Sequence, residues 1–304
     1  MSIIDKLKQL KATIRFSARQ EMHFEAQKLL LAKLLVENVK NKEKISSFEE
    51  VEFKVFSQFG DDGIIQWLIH HIDILHKTFI EFGVEDYREA NTRFLMMNDN
   101  WSGLVMDGSM ANISKIIESE YYWKHELIAK SVFIDLDNIN DEIAALSFNK
   151  DVGILHIDLD GNDYWIWKDI HVITPIIVIM EYNSVFGKDR AITVPYDKTF
   201  NRTKAHHSNL YFGASLPALH QLALQKGYAF IGCNSAGNNA YFVRRDNLND
   251  NVKEVPLEQG YVLSKIREAR ASNGKLTYAR GEERIKVIRG LPVYNVINDK
   301  VEAL

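Results

Sequence analysis

The chain has 304 residues, 46% hydrophobic and 26% charged, with a formal net charge of −4. That suffices for a sizeable core in one large α/β domain, or one domain with terminal additions, and argues against a general nucleic-acid binder. The single cysteine, Cys233, rules out an internal disulfide and reads as a small buried hydrophobe, which fits a reducing, cytoplasmic setting.

Residues 1–45 are rich in Lys, Leu, Glu, Gln and Ala, contain no Gly or Pro, and predict one or two helices. Within them Lys6, Lys8, Lys11, Arg15 and Arg19 alternate with Ile3, Ile4, Leu7, Leu10, Ile14 and Phe16. This basic amphipathic pattern suits packing, dimerisation in a homo-oligomer, or peripheral contact with a membrane surface. It does not read as a secretory leader, and no apolar run in the chain is long enough to predict a membrane-spanning helix.

From about residue 60, short apolar runs alternate with amphipathic stretches. Strands are expected at Thr78–Phe82 and at residues 103–106, 131–134, 153–157 and 176–180. The first four are apolar on both faces, as strands covered on both sides must be, and alternation with helices predicts a doubly wound parallel sheet. A helix is expected from Pro217 to Lys226. Two strands at 227–233 and 239–244, joined by a polar Gly/Asn turn, then predict an antiparallel hairpin at the sheet edge. Beyond it, residues 260–270 suggest a helix and Gly290-Leu-Pro-Val-Tyr294 a turn into an extended piece. The organisation is thus a helical extension (1–48), an α/β domain (49–248) and a tail (249–304) that caps the site or mediates oligomerisation.

Ligands of such sheets bind beyond the carboxyl ends of the strands, so the residues after each strand are the candidates. Gly83 permits close backbone approach. Asp107, one βα unit later, offers a carboxylate to the vicinal hydroxyls of a ribose. Asp135, rather than Asp137, is placed to meet an adenine amino group. After the fourth strand, Asp158, Asp160 and Asp163 fall within six residues. Such carboxylates repel unless a cation lies among them, and a hard divalent ion such as Mg2+ prefers oxygen ligands. One of them capping the next helix is the competing reading. Glu181 and Asn183, two apart after the fifth strand, add two oxygens on one side of an extended segment. His206 and His207, in a polar loop, are candidate general bases unless they are a surface pair. Tyr164, Trp165, Tyr182 and Tyr211 are candidates for stacking on a sugar, with Trp165 and Trp167 equally suited to a core. His156, inside an apolar run, reads as a core residue.

The ordered segments Ser57-Gln58-Phe-Gly60-Asp61-Asp62-Gly63, Phe79-Ile-Glu81-Phe-Gly83, Asn91-Thr92, Trp101-Ser-Gly103, Ile157-Asp158-Leu-Asp160-Gly161-Asn162-Asp163-Tyr164-Trp165, Glu181-Tyr-Asn183 and Tyr211-Phe-Gly-Ala-Ser215 resemble FkbM-like class I methyltransferases over roughly residues 56–245. The resemblance implies a seven-stranded Rossmann-like sheet ending in an antiparallel hairpin, S-adenosyl-L-methionine as cofactor, and a role in polysaccharide biosynthesis. It implies that Glu81 and Gly83 hold the methionine part of the cofactor and Asp107 its ribose, with Ser57, Gln58 and Asn91 nearby. Metal ligands by position would be Asp158 or Asp160, Glu181 and Asn183. The chemistry implied is in-line methyl transfer to a sugar or glycan hydroxyl, with the metal lowering the hydroxyl's pKa and His206 or His207 taking the proton. One departure stands out: Glu85-Asp86-Tyr87 replaces residues that are usually small in the glycine turn. It keeps open a non-catalytic cofactor-binding scaffold in a glycan assembly complex. A nicotinamide-dependent oxidoreductase is the third reading, opposed by the edge hairpin and the lack of a Gly-x-Gly-x-x-Gly turn.

Overall fold

The structure, a computed structural model, describes residues 3–146 and 151–304. The elements run α1 (Ile3–Lys40), α2 (Asp61–His71), β1 (Thr78–Phe82), α3 (Arg93–Asp99), β2 (Ser102–Asp107), α4 (Met110–Ile117), α5 (Glu120–Lys124) and β3 (Leu127–Ser131). They continue through α6 (Ile139–Ala144), β4 (Ile154–Ile157), α7 (Asp163–Asp169), β5 (Ile177–Glu181), β6 (Ile192–Thr193), α8 (Arg202–Ala205) and α9 (Leu216–Lys226). The chain closes with β7 (Tyr228–Cys233), β8 (Asn239–Arg244), α10 (Leu257–Gly260), α11 (Glu282–Ile288), β9 (Pro292–Asn295) and β10 (Lys300–Ala303).

Among the described residues seven strands form one sheet in the order β3-β2-β1-β4-β5-β8-β7. The first five are mutually parallel, whereas β8 runs antiparallel to both β5 and β7. Alternation sorts their apolar side chains onto two buried faces. Ile80, Phe82, Leu155, Val178 and Phe242 pack with α7 and α9 on one side. Phe79, Val105, Ile154, Ile177 and Tyr241 pack with α2 and α4 on the other. The doubly wound sheet with its terminal hairpin is the architecture expected from the sequence. The antiparallel β8 is what separates it from a dinucleotide-binding sheet of six parallel strands.

Two expectations are corrected. The third strand lies at Leu127–Ser131, not at 131–134. As an outer strand it is only partly buried, so its sequence is less apolar than that of Val132-Phe133-Ile134, which continues past the sheet. Residues 261–269 do not form a helix beyond α10. They are drawn out as a strap instead. The Tyr261 hydroxyl donates to the Ser184 carbonyl, the Ser264 amide donates to Ser184 Oγ, and the Tyr182 hydroxyl donates to the Val262 carbonyl. These bonds replace those a helix would make.

The tail strands β9 and β10 join β6 in a second, three-stranded sheet, β10-β9-β6. Ala269, Ala279, Ile288 and Val293 pack there with Val185, Phe186 and Tyr211. The N-terminal segment is one helix, seated on α2 through its C-terminal half, where Ala32, Val36 and Val39 are buried and Leu30, Leu31 and Leu34 stand exposed. Lys6, Lys8, Lys11, Arg15 and Arg19 lie outside the residues whose side chains are described. No helix among the described residues is long and apolar enough to cross a membrane.

Candidate active site

A cleft of about 630 Å³ opens at the carboxyl ends of β1, β2, β4 and β5, within the size range of small-molecule sites. Gly83, Asp107, Asp158 and Glu181 all line it.

At the end of β1, parallel register places Glu81 beside His156 of β4. The Glu81 carboxylate accepts from His156 Nδ1 (2.8 Å), from the amides of Asn91 (2.9 Å) and Thr92 (3.0 Å), and from the Thr92 hydroxyl. Burial opposes its charge, but the His156 hydrogen bond and charge outweigh that and hold it below the usual carboxylate range. Burial likewise disfavours charge on His156, yet Glu81 raises it above an ordinary histidine. His156 is therefore the partner that the sequence left as a core residue. Glu81 and Asn91 face the cleft, yet much of their bonding capacity ties the turn together.

Gly83 has φ +73°, and a Cβ there would stand 1.6 Å from the Asp158 carbonyl oxygen. Only glycine lets the β1 and β4 turns touch in this way. Of the two extra carboxylates in this turn, Asp86 turns to Lys115 (3.3 Å), and Glu85 lies on the cleft wall. The Glu85 amide donates to Asp107 Oδ2 (2.9 Å), and the Ser109 amide and Asn112 Nδ2 donate to Oδ1 (2.8 and 3.3 Å). Asp107 is thus fixed at the end of β2 with acceptor capacity left over, since a carboxylate can take about four hydrogen bonds.

Gln58 lines the cleft, but Ser57 does not. Ser57 is fully buried, and its amide and hydroxyl both donate to Asp62 Oδ2 (2.8 Å each), as do the amides of Val55 (2.7 Å) and Phe56 (2.8 Å). Burial pushes the Asp62 carboxyl up to about 6 despite these donors. Asp62→Ala would leave three buried N–H groups without an acceptor, an expected loss of about 3 kcal/mol in unfolding free energy by urea denaturation. A loss below about 0.5 kcal/mol would contradict this anchoring role.

Asp135 is also turned away from the cleft. Its Oδ1 accepts from the Asp137 and Asn138 amides (2.8 and 3.1 Å), and Lys198 sits 3.0 Å from Oδ2. The wall at this strand end is Val132, Phe133 and Ile134 instead. This apolar run borders the cleft instead of forming a strand.

After β4 the carboxylates divide by role. Asp163 is buried and accepts from the Leu159 and Gly161 amides (2.6 and 2.9 Å), closing the turn; burial pushes it up to about 6. Asp158, Asp160 and Glu181 offer oxygens that all lie within 4.8 Å of one another. Desolvation first, then the charge of Asp160, pushes Asp158 up to about 7. Desolvation and then Asp158 push Glu181 well above the usual range. Glu181 Oε2 is shielded from solvent and has no hydrogen-bond partner. An all-oxygen set short of positive charge, with one orphaned buried acceptor, fits a hard divalent cation.

Asn183 does not join that set. Its Oδ1 accepts from the Val185 amide (3.0 Å), and its Nδ2 donates to the Leu210 and Phe212 carbonyls (2.9 and 3.0 Å). It pins the 210–212 segment to β5. His206 and His207 stack on each other at 4.2 Å, His206 Nδ1 meets Ser208 Oγ (2.7 Å), and neither ring lines the cleft. Tyr164, Tyr182 and Tyr211 are buried, and Trp165 donates to the Val194 carbonyl; none of the four reaches the cleft wall. The loop sends in Phe200, Asn201, Arg202 and Thr203 instead, and the tail adds Glu268. No sequence signal singled out Arg202 or Glu268, because each acts through partners remote in the chain.

Strand order and the antiparallel neighbour of β5 define the class as a seven-stranded Rossmann-like α/β sheet, the arrangement expected of class I methyltransferases. No family model matches the chain, and no curated protein matches it in sequence. Among solved structures it is similar to an S-adenosylmethionine-dependent methyltransferase from Clostridium acetobutylicum, at 9% identity over 60% of this chain and 88% of that one, with TM-score 0.36. It is also similar to an O-methyltransferase family protein from Burkholderia thailandensis, at 11% identity over 75% and 60% of the two chains, with TM-score 0.36. A third is the fibrillarin pre-rRNA processing protein of Methanococcus jannaschii, at 9% identity over 61% and 76%, with TM-score 0.37.

Proposed function

We propose that the protein is an S-adenosylmethionine-dependent O-methyltransferase of FkbM-like type, acting on a hydroxyl of a sugar or glycan precursor with a divalent metal. The observation that carries this reading is the convergence of Gly83, Asp107, Asp158 and Glu181, from four different strand ends, on one cleft. Bound S-adenosylmethionine would supply an electrophilic methyl group. Asp107 would accept the ribose hydroxyls, with Phe133 and Ile134 against the base. Gln58, Asn91 and the Gly83 turn would border the methionine part.

Asp158, Asp160 and Glu181 would hold the metal, which would supply Lewis acidity toward a hydroxyl oxygen. A carboxylate of this cluster, rather than His206 or His207, is then positioned to accept the hydroxyl proton. The acceptor end is rich in amides, including Asn201, Asn209 and Asn238, which match sugar hydroxyls as donors and acceptors. Arg202 is the sole lysine or arginine among the described residues of the wall, and it already faces Asp160.

Calorimetric titration of the purified protein with S-adenosylmethionine is the direct test. Micromolar binding, competed by S-adenosylhomocysteine, is expected. No heat at millimolar cofactor would overturn the enzyme reading and leave the scaffold.

A further inference from the structure

The carboxylates at the ends of β4 and β5 already have one cation among them. Arg202 Nη1 donates to Asp160 Oδ1 (2.5 Å), its Nε donates to the Asn209 carbonyl (2.9 Å), and its Nη2 lies 3.8 Å from Glu268. The guanidinium sits 3.7 Å above the Phe212 ring, with 21% of the side chain exposed. Asp160, in turn, shares its cluster with Asp158 and Glu181, whose Oε2 has no partner. So Asp160 belongs both to an ion pair and to a cluster of three carboxylates.

Arg202 also opens α8, a helix of four residues whose cap is internal, Asn201 accepting from the Lys204 amide. Phe200, just before it, rests on Gly161, where an added Cβ would come within 2.2 Å of the ring. Residues 200–205 thus hold to the β4 turn by one ion pair and one aromatic contact.

We propose that Arg202 is a resident counter-ion that competes with a divalent cation for Asp160, so that loading the carboxylate cluster releases Arg202 and loosens the α8 segment at the acceptor end of the cleft. The proposal rests on the metal reading above. A divalent ion on Asp158, Asp160 and Glu181 places two positive charges beside the guanidinium, and the two cations want the same oxygen. Whichever holds Asp160 weakens the hold of the other, so the effect is reciprocal.

The test is calorimetric titration of the full-length, metal-free protein with Mn2+, for the wild type, Arg202→Gln and Arg202→Lys. Arg202→Gln is expected to bind Mn2+ about tenfold more tightly, the scale of one removed charge at short range in a partly solvated site. Arg202→Lys keeps the charge and is expected to stay within about threefold of the wild type. Hydrogen exchange read over residues 199–206 is expected to rise on adding Mn2+ to the wild type and to be insensitive to it in Arg202→Gln. Equal affinity for all three proteins, or Arg202→Lys matching Arg202→Gln, would overturn the proposal while leaving the metal site standing. Absence of Mn2+ binding by all three would remove the metal reading and this proposal with it.

Discussion

Asp158→Ala and Glu181→Ala are each expected to lower kcat by about 10³-fold while S-adenosylmethionine affinity stays within about threefold of wild type. The two carboxylates stand at the ends of β4 and β5, whereas Asp107, the proposed ribose acceptor, ends β2 and the apolar wall of Phe133 and Ile134 follows β3. Removing either one takes away one of three converging oxygen donors, and with it a group proposed to position the acceptor hydroxyl and receive its proton. Asp158→Asn and Glu181→Gln keep the shape and remove the charge, so they should lose nearly as much as the alanine variants. Turnover within about tenfold of wild type in all four would place the chemistry elsewhere in the cleft. Full activity in excess EDTA would remove the metal while leaving methyl transfer intact.

Gly83→Ala is expected to lower unfolding free energy by about 3 kcal/mol or more and to abolish cofactor binding. Two penalties coincide. The backbone sits at φ +73°, where an alanine is strained, and the added methyl would lie 1.6 Å from the Asp158 carbonyl oxygen. The clash is with backbone, so no rotamer relieves it; either the β1 turn or the β4 turn must move. Since Asp158 belongs to one and the amide of Glu85, which holds Asp107, to the other, both halves of the cleft shift together. Thermal unfolding and calorimetric titration on the same preparation check this. A Tm within about 2 °C of wild type would show that the two turns are not held in contact.

The sheet was legible because burial on both faces writes itself into sequence as unbroken apolar runs, as in Phe79-Ile80 and Ile154-Leu155. The outer strand was misplaced for the same reason inverted. Leu127–Ser131 is only partly buried and carries Lys130, while the apolar run after it serves the cleft. The strand-end residues divide along a similar line. Gly83, Asp107, Asp158, Asp160 and Glu181 sit where a parallel sheet must deliver them, and all five line the cleft. Ser57, Asp135, Asn183 and His206 have the right chemistry in the right neighbourhood, but local hydrogen bonds claim them, and His207 packs on the His206 ring. Asp135 closes a turn, Asn183 clips two carbonyls, and Ser57 serves Asp62. Composition cannot tell a polar group aimed at a ligand from one satisfied by the backbone beside it.

The sequence by itself determined the order of strands and helices, the terminal hairpin, and the placing of acids and a glycine at strand ends, because periodicity and burial act over neighbouring residues. Only the tertiary structure decided which polar atoms remain unspent. It paired His156 with Glu81 through register, turned Asp86 outward to Lys115, and brought Arg202 from a loop and Glu268 from the tail to one wall. Those outcomes depend on which groups meet across long loops, and hydrogen-bond capacity and charge are settled only at that meeting.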